Sequence, residues 1–251
     1  MYPIAVRNAF LYNCISGYKT IFCTFLERLP MTLKMEMENE RNNSLPQDLF
    51  NKLRDDILQK KIQPGEKLTE QRICQEYQVS RTPVREAFQK LELDGLIEII
   101  PNRGAFVIGL TRQDIEDMYE LRSAYESIAV KWAIDRMTPQ EFDDMQEAFE
   151  LMEFYTMKQD PAKMLAMNTR FHQIIYNGTK NRMLQHTLTS YQVYTKNTKY
   201  SPEYIKEYMD EVLEEHRQIF LAFQAKDKEA ASRAAVQHMQ NGKHRAGFGT
   251  D

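Results

Sequence analysis

Arg81 and Arg85 stand four residues apart in the run Ser80-Arg81-Thr82-Pro83-Val84-Arg85-Glu86-Ala87-Phe88-Gln89-Lys90-Leu91. Four residues is about one helical turn, so the two guanidiniums project from the same side. An arginine fork matches the O6 and N7 of guanine in the major groove, and base reading is the chemistry this pair suits. Ser80 and Thr82 add hydroxyls fit for phosphate oxygens. The local helix signals agree. Ser80 is an N-cap type, and Pro83 falls in the first turn, where its missing N–H costs nothing. Val84, Ala87, Phe88 and Leu91 recur at helical spacing and predict a buried face. After them, residues 96–100 read as a strand, Pro101-Asn102-Arg103-Gly104 as a tight turn, and residues 105–108 as the returning strand. A helix entered from a turn and followed by a hairpin predicts a winged helix-turn-helix. Ser80, Arg81, Thr82 and Arg85 are then expected at the DNA, with Arg103 and Gly104 at the wing tip.

A second set of residues suits metal ligation. Asn168 and His172 are spaced i, i+4 and share a helical face. His216 lies ten residues before Lys226 and His238 eleven after Asp227, so an antiparallel hairpin turning there brings them level. Three imidazoles and one amide oxygen can then meet inside a bundle. Imidazole suits Zn, Ni, Cu or Fe, and three protein nitrogens leave positions open for a ligand. Spacing alone leaves a bland alternative standing, because an isolated helical histidine is more often a surface or satisfied core residue. His186 and His244 have no such partners and read as surface residues. Arg122 has two readings as well. It can form a helix-surface ion pair with Glu126 at i+4, worth about 0.3–0.5 kcal/mol, or point into a ligand pocket. Tyr191, Tyr194 and Lys196 are further candidates for the wall of that pocket.

These residues need a scaffold, and the sequence supplies the signals for one. Pro46 opens a helix with Leu49, Leu53, Ile57 and Leu58 at helical spacing, ending before Pro64-Gly65. Thr69 is an N-cap candidate for the next helix, in which Ile73, Cys74 and Tyr77 pack. From Thr111 onward no strand signal appears. Caps at Thr111-Arg112-Gln113-Asp114, Thr138-Pro139-Gln140-Glu141, Asp160-Pro161 and Ser201-Pro202-Glu203, with turns at Asn177-Gly178 and Lys226-Asp227, predict six helices. They fall near 112–137, 139–158, 161–177, 180–199, 202–225 and 228–245. In the first, the apolar stripe is expected to be Ile115, Met118, Leu121, Tyr125, Ile128, Ala129 and Trp132. The fold class is therefore mainly α: a winged helix-turn-helix over 44–110, then an all-α six-helix ligand-binding bundle over 111–247. Residues 1–43 are expected to be a disordered or mis-called extension. Met31, Met35 and Met37 are alternative starts ahead of a polar linker.

Composition narrows the function classes. A net charge of −3 argues against a nonspecific nucleic-acid binder. Residues 45–110, however, carry ten Lys/Arg against ten Asp/Glu, and a sequence-specific reader needs positive charge only on its docking face. Three cysteines, an odd and sparse count without a paired spacing, fit a reducing cytoplasm, and no run reaches the 18 apolar residues of a membrane span.

Pro64-Gly65-Glu66-Lys67-Leu68-Thr69-Glu70, Val79-Ser80-Arg81-Thr82-Pro83-Val84-Arg85-Glu86-Ala87 and Arg103-Gly104-Ala105-Phe106-Val107 resemble the GntR family of bacterial transcription regulators. Glu120-Leu121-Arg122 and Asn168-Thr169-Arg170-Phe171-His172 look like the FCD-type effector domain of its FadR subfamily, and six helices resemble the VanR-like variety. The resemblance covers roughly residues 45 to 245. It implies operator binding by a homodimer and a small carboxylate effector. Its metal-binding members hold a divalent transition metal, Zn or Ni here, with an Asp and three His at the positions of Asn168, His172, His216 and His238. Asn168 departs from that pattern and brings no charge. An Arg at the position of Arg122 points into the effector pocket. Two rivals remain: an enzyme using a histidine-bound metal to activate water, and a DNA binder without effector. Against the enzyme, no zincin spacing, nucleophile motif or Gly-rich phosphate loop occurs. The expectation is a cytoplasmic, ligand-responsive repressor of palindromic operator DNA.

Overall fold

Leu49, Leu53 and Ile57 recur every fourth residue along α1 (Leu45–Leu58), and all three are buried. The structure, a computed structural model, describes residues 45–248 except Asn102 and residues 200–205. The expected extension 1–43 and the cap at Ser201-Pro202-Glu203 lie outside the described residues. By internal contacts the chain divides into two compact units. Among the described residues, one takes 45–52 together with Glu70–Gln89, and the other takes Leu53–Thr69 and those from Lys90 onward.

In the first unit, α2 (Glu70–Tyr77) ends where Gln78 turns back with φ 54°, and α3 (Arg81–Leu93) begins three residues later. Val84, Ala87 and Phe88 form the buried stripe of α3 that the sequence predicts. In the second unit the wing is a three-stranded antiparallel sheet of β1 (Lys67–Leu68), β2 (Ile97–Ile100) and β3 (Gly104–Val107), in the order β1-β3-β2. Ile97 faces Val107 and Ile100 faces Gly104, so the predicted hairpin is in register. Gly104 sits at φ +99°, a conformation that side chains disfavour. β1 was not anticipated.

The rest of the second unit is helical: α4 (Arg112–Arg136), α5 (Pro139–Met157), α6 (Pro161–Gly178), α7 (Arg182–Lys199), a 3₁₀ turn (Lys206–Tyr208), α8 (Met209–Gln224) and α9 (Lys228–Arg245). Thr111 with Asp114 and Thr138 with Glu141 close reciprocal capping boxes, and Asp160 and Asp227 cap α6 and α9. α9 packs along α4 and α8, α5 along α6, and α7 against α4 and α6, around one apolar core that includes Met145, Phe171 and Ile175.

Two expectations are corrected. Asn177 and Gly178 do not turn the chain. They end α6, and the reversal comes at Lys180 with φ 52°. Gly178 serves close packing instead: a Cβ there would lie 2.7 Å from Met137 Cε. On α4 the buried face is Tyr119, Arg122, Glu126, Ala129, Val130 and Ala133, whereas Leu121 and Ile128 of the expected stripe are 48% and 40% exposed. α4 therefore buries a charged pair and leaves apolar residues outside. No helix among the described residues is long and apolar enough to cross a membrane.

Candidate functional site

Three helices each deliver one histidine to the same point: His172 from α6, His216 from α8 and His238 from α9, all buried. His172 Nε2 lies 3.2 Å from Nε2 of His238 and 3.2 Å from Nε2 of His216. The outward nitrogens face acceptors. His216 Nδ1 donates to the carbonyl of Val212 at 2.7 Å, and His238 Nδ1 donates to Glu215 Oε2 at 2.7 Å. A carbonyl or carboxylate can only accept, so both rings carry their proton on Nδ1 and present a bare Nε2 inward. A proton on His172 Nδ1, which faces Glu126 Oε1 at 3.6 Å, leaves all three Nε2 lone pairs directed inward. Burial lowers the pKa of His172 and, further, that of His216, where the neighbouring histidines add to the effect, so these rings stay neutral. Neutral imidazoles with converging lone pairs and oriented outer nitrogens are a donor set for a cation.

Asn168, one turn before His172, lines the same cavity as His172 and His238. Its Oδ1 is buried with no hydrogen-bond partner among the described residues. Asn168, His172, His238 and Arg122 line a cavity of about 50 Å³, room for a few water-sized groups. A buried carbonyl oxygen without a donor fits a metal ligand, and the residues present suit the ion that the sequence suggests.

Two carboxylates hold this arrangement: Glu126, which the sequence reading left as a surface partner of Arg122, and Glu215, which it missed. Glu126, 1% exposed, accepts from Arg122 Nε at 3.3 Å and from the Tyr176 hydroxyl, and lies 3.6 Å from His172 Nδ1. Burial alone would raise its pKa, but His172, the Arg122 guanidinium and Tyr176 outweigh it and hold the carboxyl well below the usual range. Glu215 receives a bidentate pair from Arg245 at 2.6 and 2.7 Å, together with His238 and Asn241. Its carboxyl is likewise held down, to about 2, by Arg245 and His238 against the opposing effect of burial. A signal was present: His238, Asn241 and Arg245 fall at i, i+3 and i+7 on one face of α9.

Arg122 keeps the ion pair of the first reading, buried instead of at the surface, and takes the place that the second reading gave it. It pairs with Glu126, yet only 6% of it is exposed, and it lines the cavity while donating to Thr195 Oγ1 at 2.8 Å and to the Tyr176 hydroxyl at 3.2 Å. α7 reaches the cavity through Gln192 and Thr195, which the sequence reading overlooked, and Arg245 joins them from α9. Tyr191 stacks on Tyr125 instead, with ring centroids 6.2 Å apart, and Tyr194 donates to Asp94 Oδ2 at 2.5 Å. Neither tyrosine is among the cavity's lining residues. Lys196 lies in α7, and its side chain falls outside the described residues.

The candidate DNA-reading residues have the opposite environment. Ser80, Arg81, Thr82, Arg85 and Arg103 are all exposed, and Gly104 begins β3. Arg85 Nε donates to Glu70 Oε1 at 2.7 Å.

Two family profiles match the chain: "Bacterial regulatory proteins, gntR family" over residues 45–107 and "FCD domain" over residues 117–241. The chain is 28% identical to an uncharacterized HTH-type transcriptional regulator, YdhC of Bacillus subtilis, over 76% of this chain and 86% of that protein. It is 27% identical to the HTH-type transcriptional repressor RspR of Escherichia coli, over 82% and 91% of the two chains. Among solved structures, Escherichia coli McbR/YncC superposes with a TM-score of 0.61 at 23% identity, covering 79% of this chain and 95% of the other. That likeness speaks for the fold.

Proposed function

This chain belongs to the gntR family of bacterial regulatory proteins and carries an FCD domain, and from that premise we propose a homodimeric repressor whose grip on palindromic operator DNA is set by a small carboxylate bound beside a metal ion. The chain is a DNA-binding transcriptional regulator and not an enzyme. Ser80, Arg81, Thr82, Arg85, Arg103 and Gly104 are the proposed DNA contacts, the arginines of α3 at base edges and the hydroxyls on phosphates. A relative named a transcriptional repressor supports that sign of action.

The observation that carries the effector site is the convergence of three Nε2 atoms, with the outer nitrogens of His216 and His238 hydrogen-bonded and that of His172 facing Glu126 at 3.6 Å. Asn168, His172, His216 and His238 would hold a divalent transition ion, Zn or Ni, and the ion would supply a Lewis-acidic centre with open positions. Every protein donor in this set is neutral, so charge balance falls to the incoming ligand and favours a carboxylate. Arg122, anchored by Glu126, Thr195 and Tyr176, is the cationic side chain at the cavity wall for that group. The cavity volume suits a small organic acid. No membrane partner is implied, and the cytoplasm is the compartment such a regulator works in.

Dimerisation is supported by the outer side of α4, where Leu121 and Ile128 are exposed and Tyr125 is half-buried. A second copy is the occupant we assign to this stripe. One recognition helix reads only a few base pairs, and a two-fold pair doubles the contact. The test uses duplexes selected from a random pool by the full chain. With zinc supplied, a panel of small carboxylates should contain one that changes duplex affinity by about 5- to 150-fold in the wild type. His216→Ala should bind the duplex normally and ignore that acid. An equal response in His216→Ala would contradict the reading.

A further inference from the structure

Arg85 does not reach toward solvent alone. Its Nε is held at 2.7 Å by Glu70, the first residue of α2, fifteen positions earlier in the chain. The side chains of Arg85 and Glu70 are 62% and 34% exposed, and such surface pairs contribute little to folding. Glu70 is also an expensive choice for this surface, because a carboxylate within reach of a DNA-reading arginine repels phosphates. A pair of small structural value and adverse electrostatic effect calls for another account.

The geometry of the guanidinium supplies one. Nε lies on one edge of the planar fork, and a carboxylate there leaves the two terminal nitrogens to act together. Those two nitrogens are the pair that can bridge O6 and N7 of one guanine. Glu70 is itself kept in place by its position in the first turn of α2, where the helix dipole favours a negative charge. The Glu70 carboxyl is drawn below its usual range, chiefly by the Arg85 hydrogen bond, and Arg81 adds its charge.

We propose that Glu70 is a specificity-determining positioning residue, which holds Arg85 so that its terminal nitrogens meet one base pair and which surrenders nonspecific affinity in doing so. This rests on the reading of Arg85 as a base-edge contact. A flexible arginine can settle on any nearby phosphate; an arginine fixed at Nε reaches fewer alternatives, and wrong sequences lose binding first.

The experiment uses the full chain as wild type, Glu70→Ala, Glu70→Gln and Arg85→Ala. The wild type selects duplexes from a randomised pool. Each protein is then titrated at one fixed salt concentration against the selected duplex, its single-base variants and a scrambled duplex. Arg85→Ala identifies the base pair that Arg85 reads. At that base pair Glu70→Ala should lose roughly fivefold or more in discrimination while binding the scrambled duplex as tightly as wild type, or more tightly. Glu70→Gln keeps an acceptor without the charge and should recover part of the discrimination. Wild-type discrimination in Glu70→Ala, or an equal loss on selected and scrambled duplexes, would overturn the proposal. If Arg85→Ala discriminates as wild type does, the base reading fails and the positioning role fails with it.

Discussion

The two arginine–glutamate pairs, Arg85–Glu70 and Arg122–Glu126, are chemically alike and physically opposite. The first is exposed at 62% and 34% of its side chains; the second is exposed at 8% and 1%. In water the first pair contributes little to folding, since solvent and salt screen it and both side chains lose freedom. Inside the bundle the second cannot be broken without leaving a buried charge uncompensated. An exposed pair is free to serve recognition, because its loss leaves the fold intact. A buried pair belongs to the fold and the site at once.

Removal of Glu126 should therefore have the largest effect. Glu126→Gln strands the Arg122 guanidinium and weakens the partner of His172, and it should cost about 3–5 kcal/mol in denaturant unfolding. A loss below about 1 kcal/mol would break the contrast.

The next effect should appear in metal affinity. Glu215→Ala removes the acceptor that orients His238 and should weaken zinc binding by about 10- to 100-fold in competition with a chromophoric chelator, in line with other carboxylates behind ligating histidines. Unchanged zinc affinity would mean that Glu215 serves only Arg245. At the exposed end, Arg85→Ala should cost about 1–3 kcal/mol of affinity for the selected duplex with no change in unfolding midpoint. Smallest of all should be Lys131→Ala, which breaks an exposed pair with Glu229. Unfolding should register about 0–1 kcal/mol and duplex binding nothing.

The same contrast explains what the sequence made legible. The recognition helix depends on a contiguous run from Ser80 to Leu91, so cap, stripe and arginine spacing could all be read together. Three helices of the bundle, α4, α5 and α6, were visible through their caps at Thr111, Thr138 and Asp160, because a Thr or Asp before a Pro or three residues before an acid acts locally. The histidine convergence was partly visible, since a hairpin at Lys226-Asp227 levels His216 with His238. Glu126 was misplaced on the surface. Periodicity puts charged residues outside, and nothing local announces that Tyr176 and Thr195, more than fifty positions away, satisfy Arg122. That misplacement also rotated the expected stripe of α4 toward Leu121 and Ile128. β1 was invisible because two residues carry no alternation. Tyr191 and Tyr194 were assigned to the pocket wall, but α7 turns Gln192 and Thr195 there instead.

Whether three converging imidazoles make a metal centre is decided by elemental analysis of the full chain after dialysis against zinc and then metal-free buffer. One zinc per chain in the wild type, with little or none in His216→Ala, is the predicted result. A wild type that retains no zinc, or a His216→Ala protein that retains as much, would contradict the account.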